Sequence, residues 1–336
     1  MMLEKRLAKR PAYLKASDLL AQKDRSILLG ENDRLAVLGF PISHSLSPRM
    51  QNAALLATSL PHRYLGIEVR PEELGSTLAL LVECGFLGLN ITLPHKQAVI
   101  AHLDQVSDHA RFLGAVNTIL IRDQKLYGLN TDGPGLVAAL EETWGLLISR
   151  QRILLLGATG GAGRAIAAQA VLGGCRELTL ASRSHEALSP QIEKLSDHAR
   201  HAKQTQGTIP IHATGLSEEE LSHVLPHVDL IINATSLGMQ EKDRALIPPH
   251  LFHKDHYCYD MVYSSASTPL MQSAMSAGAK AANGLSMLVH QGALAFQIWF
   301  EQAPPLNVMR QVFSESNAAS ILASRPPQVI SMKYPG

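Results

Sequence analysis

The residues best placed to do chemistry are the glycines of Arg152-Ile-Leu-Leu-Leu-Gly157-Ala158-Thr159-Gly160-Gly161-Ala162-Gly163-Arg164. An apolar run enters a glycine-rich turn, and residues 164–172 then read as a helix built with small side chains. Such a turn presents backbone N–H groups and the positive end of a helix dipole, which suits a pyrophosphate. The spacing, Gly157-x-x-Gly160-x-x-Gly163, departs from the G-x-G-x-x-G fingerprint, and a plain strand-to-helix turn without a nucleotide is the alternative. An NAD site carries an acid about 20 residues past its glycines, where it bonds the ribose 2′-hydroxyl. This chain instead has Ser182, Arg183 and Ser184, with no carboxylate before Glu186. A guanidinium grips a phosphate bidentately and serine hydroxyls add donors, so the turn predicts NADP in preference to NAD. The 15 histidines include no H-E-x-x-H pair, and Cys84, Cys175 and Cys258 form no C-x-x-C pair. No metal site is expected.

Elements must position these groups. Residues 34–40 read as a strand ending in Pro41-Ile-Ser-His44-Ser45-Leu-Ser47-Pro48, a loop rich in hydroxyls. Pro48 is placed for the first turn of a helix that runs to about residue 59. Strands are expected at 62–69 and 86–92 with a helix over 71–84 between them, then at 114–122 and 125–133. Beyond the glycine-rich turn, apolar runs that end in polar loops occupy 177–184, 228–239 and 257–263, and a long amphipathic helix covers 283–299. Alternation of strand and helix argues for an α/β fold with two open, mostly parallel sheets. Polar loops recur at strand carboxyl ends, where open sheets place their ligands, and the two sheets are expected to face each other across a cleft.

The 336 residues suffice for two domains, and 46% hydrophobic with 18% charged content describes a globular chain. Thirty Lys plus Arg against 29 Asp plus Glu give a net charge of +1, which leaves no electrostatic footprint for nucleic acid. No run approaches the length of a membrane-spanning helix. Three scattered cysteines fit a reducing compartment. Residues 1–33 are basic and leucine-containing without a signal-type apolar core, and read as an accessory helix or loose extension, with a transit peptide as the alternative.

The strand ends resemble those of shikimate dehydrogenases. In the first half the resemblance rests on Pro41 to Pro48, Gly88-Leu-Asn90-Ile-Thr92-Leu-Pro94-His95-Lys96, Ala115-Val-Asn117-Thr118 and Gly128-Leu-Asn130-Thr131-Asp132. In the second it rests on Asn233-Ala-Thr235-Ser-Leu-Gly-Met239, Tyr259-Asp260-Met261-Val-Tyr263 and Gly284-Leu-Ser-Met-Leu-Val-His290-Gln291. The motifs run in family order from about residue 35 to 313. The resemblance implies reversible, NADP-dependent reduction of 3-dehydroshikimate to shikimate, in the cytoplasm, on the route to chorismate and the aromatic amino acids. The partners implied are small molecules, with no nucleic acid and no membrane, for a monomer or homodimer. It implies a substrate domain (34–131 and 284–323, completed by C-terminal helices) and a Rossmann domain (132–283), with an extension (1–33) and a loosely ordered tail (324–336).

By the same resemblance, Lys96 and Asp132 correspond to the catalytic pair, although from spacing alone both read as ordinary surface charges. Ser45 and Ser47 correspond to the hydroxyls that hold the substrate carboxylate, or else to a helix cap. Thr92, Asn117 and Gln291, with Asp132, correspond to the groups on the ring hydroxyls, and Tyr263 to a further substrate contact. Residues Gly157 to Gly163, Ser182, Arg183, Ser184, Thr235, Met261 and Gly284 correspond to the cofactor cradle. His44 and His95 read as supporting or partly exposed groups rather than bases. Three departures stand out. The glycine loop is one residue longer than the family's usual G-A-G-G-A, and Gln51 stands where many members have histidine. The Ser182-Arg183-Ser184 turn replaces Asn-Arg-Thr, with Ala187 in place of a second arginine. The rival readings are a quinate/shikimate dehydrogenase of broader range and a non-catalytic dinucleotide sensor.

Overall fold

The structure, a computed structural model, describes residues 12–184, 186–201, 208–240, 242–263 and 267–314; the start of the expected extension and the expected tail lie outside these. The chain forms two compact units, which among the described residues are 12–131 with 292–314, and 132–291.

The first unit is built on a seven-stranded sheet. Its strands are β1 (Tyr13–Lys15), β2 (Asp33–Gly39), β3 (Arg63–Glu68), β4 (Gly88–Ile91), β5 (Gln105–Val106), β6 (Thr118–Arg122) and β7 (Lys125–Leu129). They lie in the order β1-β3-β2-β4-β6-β7-β5. From β1 to β4 the neighbours are parallel, and β6 runs antiparallel to both β4 and β7. The β6–β7 hairpin turns through Asp123 and Gln124, both at positive φ (52° and 60°), the twist a two-residue hairpin turn demands. β2 and β3 read as nearly continuous apolar runs because both sheet faces are covered. Leu19, Leu65, Ile67, Leu81 and Leu89 are fully buried in one cluster on this sheet, each contributing roughly 1.5–3 kcal/mol of transfer free energy. Part of the segment expected to be an extension belongs to this fold. Tyr13–Lys15 pairs in parallel with Gly66–Glu68, and the helix Ala16–Ala21 behind it buries Ala16 and Leu19. Helix α1 (Ser47–Ala57) carries Pro48 in its first turn, as the sequence predicts.

The second unit holds β8 (Arg152–Leu156), β9 (Glu177–Ala181), β10 (Ile211–Thr214), β11 (Leu230–Asn233), β12 (Tyr257–Asp260) and β13 (Lys280–Asn283). All are parallel, in the order β10-β9-β8-β11-β12-β13. Strand order reverses at β8, so the crevice outside its carboxyl end is where a doubly wound sheet takes a ligand. Helix α2 (Asp132–Trp144) opens the unit, α3 (Gly161–Leu172) follows the glycine-rich turn, and α4 (Leu285–Phe300) ends it. The chain leaves this unit after Gln291, inside α4.

Candidate active site

In the first unit, the carboxyl ends of β2, β4 and β7 and the amino end of β6 meet at one edge of the sheet. Ser45, Ser47, Thr92, Lys96 and Asn117 all come from these ends. Backbone bonds stitch the loops together: Thr92 N–H donates to the Leu38 carbonyl at 2.9 Å, Phe40 N–H to Leu93 at 3.0 Å, and Val116 N–H to Lys96 at 2.8 Å. Ser45 and Ser47 flank the start of α1, and Ser47 N–H donates to Ser45 Oγ at 3.3 Å. The capping alternative does not hold: the N-cap of α1 is Leu46, with no side-chain cap bond, and Ser47 is already the first helical residue. Thr92 and Lys96 are half-buried on the loop after β4. His95 between them is 1% exposed, with Nε2 2.7 Å from the Val69 carbonyl. It pegs the loop that carries Lys96, whereas His44 is exposed.

Behind these loops lies a buried chain of neutral polar groups. Tyr64 Oη donates to Asn90 Oδ1 at 2.7 Å, and Asn90 Nδ2 to Thr118 Oγ1 at 3.2 Å. Thr118 Oγ1 donates to Asn117 Oδ1 at 3.0 Å, which also receives Thr131 N–H at 2.8 Å, while Asn117 Nδ2 donates to Thr131 Oγ1 at 2.9 Å. A satisfied network of this kind fixes each amide in one orientation. Burial holds the Tyr64 phenol well above its usual range, so it stays a donor. Sequence reasoning gave Tyr64, Asn90 and Thr131 no role. A polar residue inside an apolar run (Leu89-Asn90-Ile91) was the available signal for one of them; Tyr64 sits in its strand like any aromatic.

The remaining expected substrate residues, Asp132, Tyr263 and Gln291, fall in the second unit. Asp132 is the first residue of α2 and is 5% exposed. Close approach brings α2 against Gln291: a Cβ on Gly135 would lie 2.8 Å from that of Gln291. His290, one residue earlier on α4, pairs through Nε2 with Glu142 Oε2 of α2 at 2.7 Å. Partial burial, and then the Asp132 charge, push the Tyr263 phenol above its ordinary value.

The glycine-rich turn leaves the carboxyl end of β8. Gly157 has φ +80°, a left-handed conformation, and a Cβ there would stand 2.6 Å from Thr235 Cγ2. Gly163 and Gly284 are close-approach positions too, against the carbonyls of Gly157 and Met261. The expected cofactor residues Gly157, Gly163, Thr235, Met261 and Gly284 thus share one edge of the sheet. α3 starts from Gly160 with no side-chain cap, which leaves its first-turn N–H groups for an anion. Thr159, the extra residue of the loop, is anchored by Arg164 Nε, which donates to its carbonyl at 3.0 Å. A second network, unassigned from sequence, fixes Thr235. Its N–H and hydroxyl donate to Asn233 Oδ1 at 3.0 and 2.7 Å, and Asn233 Nδ2 donates to Asp260 Oδ1 at 2.8 Å. Thr268 Oγ1 donates to the other Asp260 oxygen at 2.6 Å. Burial still raises the Asp260 carboxyl above its usual value. At the end of β9, Ser182 is buried, and Arg183 and Ser184 are exposed. Among the described residues that end β9, where an NAD site would need an acid, none of Ser182, Arg183 and Ser184 is acidic. The cradle a Cβ would fill, the uncapped helix start and the exposed arginine all fit a 2′-phosphorylated dinucleotide.

Comparison with known proteins agrees with this geometry. A family model described as the shikimate dehydrogenase substrate binding domain matches residues 37–119, and the shikimate 5′-dehydrogenase C-terminal domain matches residues 284–312. The shikimate dehydrogenase (NADP(+)) of Geobacter metallireducens is 38% identical over 284 residues, covering 84% of this chain and 96% of that one. A crystal structure of a shikimate dehydrogenase in complex with NADP+ superposes with a TM-score of 0.77 at 32% identity, over 86% of this chain and 96% of that one. The Thermus thermophilus shikimate 5-dehydrogenase, solved with NADP(H) and shikimate, gives a TM-score of 0.74 at 33% identity, over 84% and 99%. With 38% identity to such a relative over 84% of its length, and the same fold as solved members, this chain belongs to the shikimate dehydrogenase family.

Proposed function

We propose that the protein is an NADP-dependent shikimate dehydrogenase, an oxidoreductase that reversibly reduces 3-dehydroshikimate to shikimate on the route to chorismate and the aromatic amino acids. The observation that carries the reading is the strand-end cluster of the first unit, where Ser45, Ser47, Thr92, Lys96 and Asn117 converge over a satisfied polar network. A carboxylated polyol needs such a set of fixed donors and acceptors. Relatives named as NADP-dependent shikimate dehydrogenases, and structures solved with NADP and shikimate, support the same assignment.

In this reading NADPH, when bound, supplies the hydride, and its phosphates rest on the turn from Gly157 to Gly163 while Arg183 grips the 2′-phosphate. Lys96 polarises the ketone, stabilises the developing alkoxide and donates the proton; in oxidation it takes the proton back. Asp132 accepts a hydrogen bond from the substrate hydroxyl. Ser45 and Ser47 donate to the carboxylate, and Thr92, Asn117 and Gln291 orient the ring hydroxyls with Tyr263 alongside. We assign residues 34–131 and 284–323 to substrate binding and 132–283 to the dinucleotide. Cys84, Cys175 and Cys258 are unpaired, which fits a reducing cytoplasm. Among the described residues no helix is long and apolar enough to cross a membrane. A monomer or homodimer acting on small molecules, with no nucleic-acid or membrane partner, completes the reading.

The test is a spectrophotometric assay of the purified protein with shikimate or quinate and with NADP+ or NAD+. Reduction of NADP+ by shikimate at the highest kcat/KM is expected. Comparable turnover of quinate would move the protein to the broader subgroup, and no turnover of either would leave a dinucleotide sensor.

A further inference from the structure

Part of the segment ahead of β2, expected to be an appendage, reaches the loop that carries Ser45 and Ser47. The Tyr13 phenol donates to the Ser45 carbonyl at 2.7 Å. Tyr13 stands on β1, whose register is Tyr13↔Gly66, Leu14↔Ile67 and Lys15↔Glu68, and Gly66 N–H donates to the Ala12 carbonyl at 2.9 Å. Leu14 on the opposite face is buried, which locks the strand to the core. A Cβ on Gly66 would lie 2.5 and 2.6 Å from two ring carbons of Tyr13, so the ring rests directly on the glycine backbone. The phenol is thus delivered from a fixed strand rather than from a loose tail, and partial burial raises its pKa, keeping it a neutral donor.

The bond it makes bears on the proposed carboxylate site. Ser45 N–H donates to the Ile42 carbonyl at 2.9 Å, and Ser45 Oγ accepts from Ser47 N–H at 3.3 Å. With the Ser45 carbonyl held by Tyr13, the Ser45 peptide is fixed on both sides of its Cα. That sets the direction in which Ser45 Oγ points and the entry angle of the residues leading into α1, Ser47 included. We propose that Tyr13 is a positioning residue for the substrate carboxylate, acting through the Ser45 peptide to aim the hydroxyls of Ser45 and Ser47. The inference rests on the function proposed above.

Tyr13→Phe in the full chain removes the hydroxyl and keeps the ring. KM for shikimate should rise about 3- to 10-fold, the worth of one neutral hydrogen bond. kcat, KM for NADP+ and the melting midpoint should stay near those of the parent. A merely structural role would lower the midpoint without separating KM for shikimate from the other constants. Gly66→Ala, which forces the ring off its seat, should give the same separation. In the double variant Tyr13→Phe with Ser45→Ala, the KM increases should be less than multiplicative, since one interaction serves the other. An unchanged KM for shikimate in Tyr13→Phe, alongside raised values in Ser45→Ala and Ser47→Ala, overturns the role of Tyr13 alone. Unchanged KM in the serine variants too would remove the carboxylate from this loop and the inference with it. Absence of shikimate oxidation by the parent protein would overturn the functional reading itself.

Discussion

In the first unit Asn117 is gripped by Thr118 and Thr131 and backed by Asn90 and Tyr64, so that its amide is held in one orientation. In the second, the cradle is made by side chains that are absent: Gly157 at positive φ, and Gly163 and Gly284 too close to carbonyls for any Cβ. The difference follows from what each surface has to hold. A ring with several hydroxyls and a carboxylate is told from its analogues by directional donors and acceptors, which only ordered side chains supply. A pyrophosphate is nearly symmetric and strongly charged, and needs N–H groups, a helix dipole and room. The buried Asn233–Asp260–Thr268 network of the second unit holds Thr235, which in turn walls the turn at Gly157.

Four substitutions test that contrast, beginning with the largest effect. Lys96→Ala removes the group assigned to proton transfer, and kcat should fall by at least about 10²-fold with KM changing much less. Steady-state kinetics on a folded, NADP-binding variant would decide it, and near-normal kcat would take lysine out of the mechanism. In the second unit, Gly157→Ala adds a single methyl where the backbone is left-handed and Thr235 stands in the way. Strain of about 1–3 kcal/mol should appear as a rise of about 5- to 160-fold in KM for NADP+. KM for shikimate should be little affected; if the two constants rose together, the two sites would not be separable.

Arg183→Ala asks whether the arginine after β9 selects the 2′-phosphate. The ratio of kcat/KM with NADP+ to that with NAD+ should drop about tenfold or more, the worth of a charged hydrogen bond. A parent enzyme that uses NAD+ equally well would end that reading before the variant is made. The smallest functional effect is expected from Tyr64→Phe. It leaves buried Asn90 Oδ1 without its phenol donor and should lower unfolding free energy by about 1–3 kcal/mol, measured by denaturant titration. KM for shikimate should rise only a few-fold, because Thr118 still holds the inner end of the network.

Much of the second unit could be read directly from the chain. A buried parallel strand is a bare apolar run, and β8, β9, β11 and β12 each announce themselves that way, with their polar loops attached. β13 (Lys280-Ala-Ala-Asn283) has no such run, and its place at the sheet edge emerges only from pairing with β12. β1 escaped for a related reason: three residues at a sheet edge carry too short a pattern to register, and what makes them a strand is Gly66–Glu68 across from them. Tyr64 and Thr131 were silent because a hydrogen-bond partner 26 or 14 residues away leaves no local trace.

The sequence by itself determined the α/β class, the glycine turn, the lack of an acid after β9, and the motif order that marks the family. These are local patterns, set by side-chain period, backbone freedom and residue chemistry within a few positions. Only the tertiary structure decided that the segment before β2 joins the sheet and reaches Ser45, and that neutral amides and hydroxyls brace Asn117. It also decided that Gln291 falls in the same unit as Asp132 and Tyr263. Those outcomes depend on which strands lie side by side and on where a Cβ has no room, and both are fixed by packing between segments far apart in the chain.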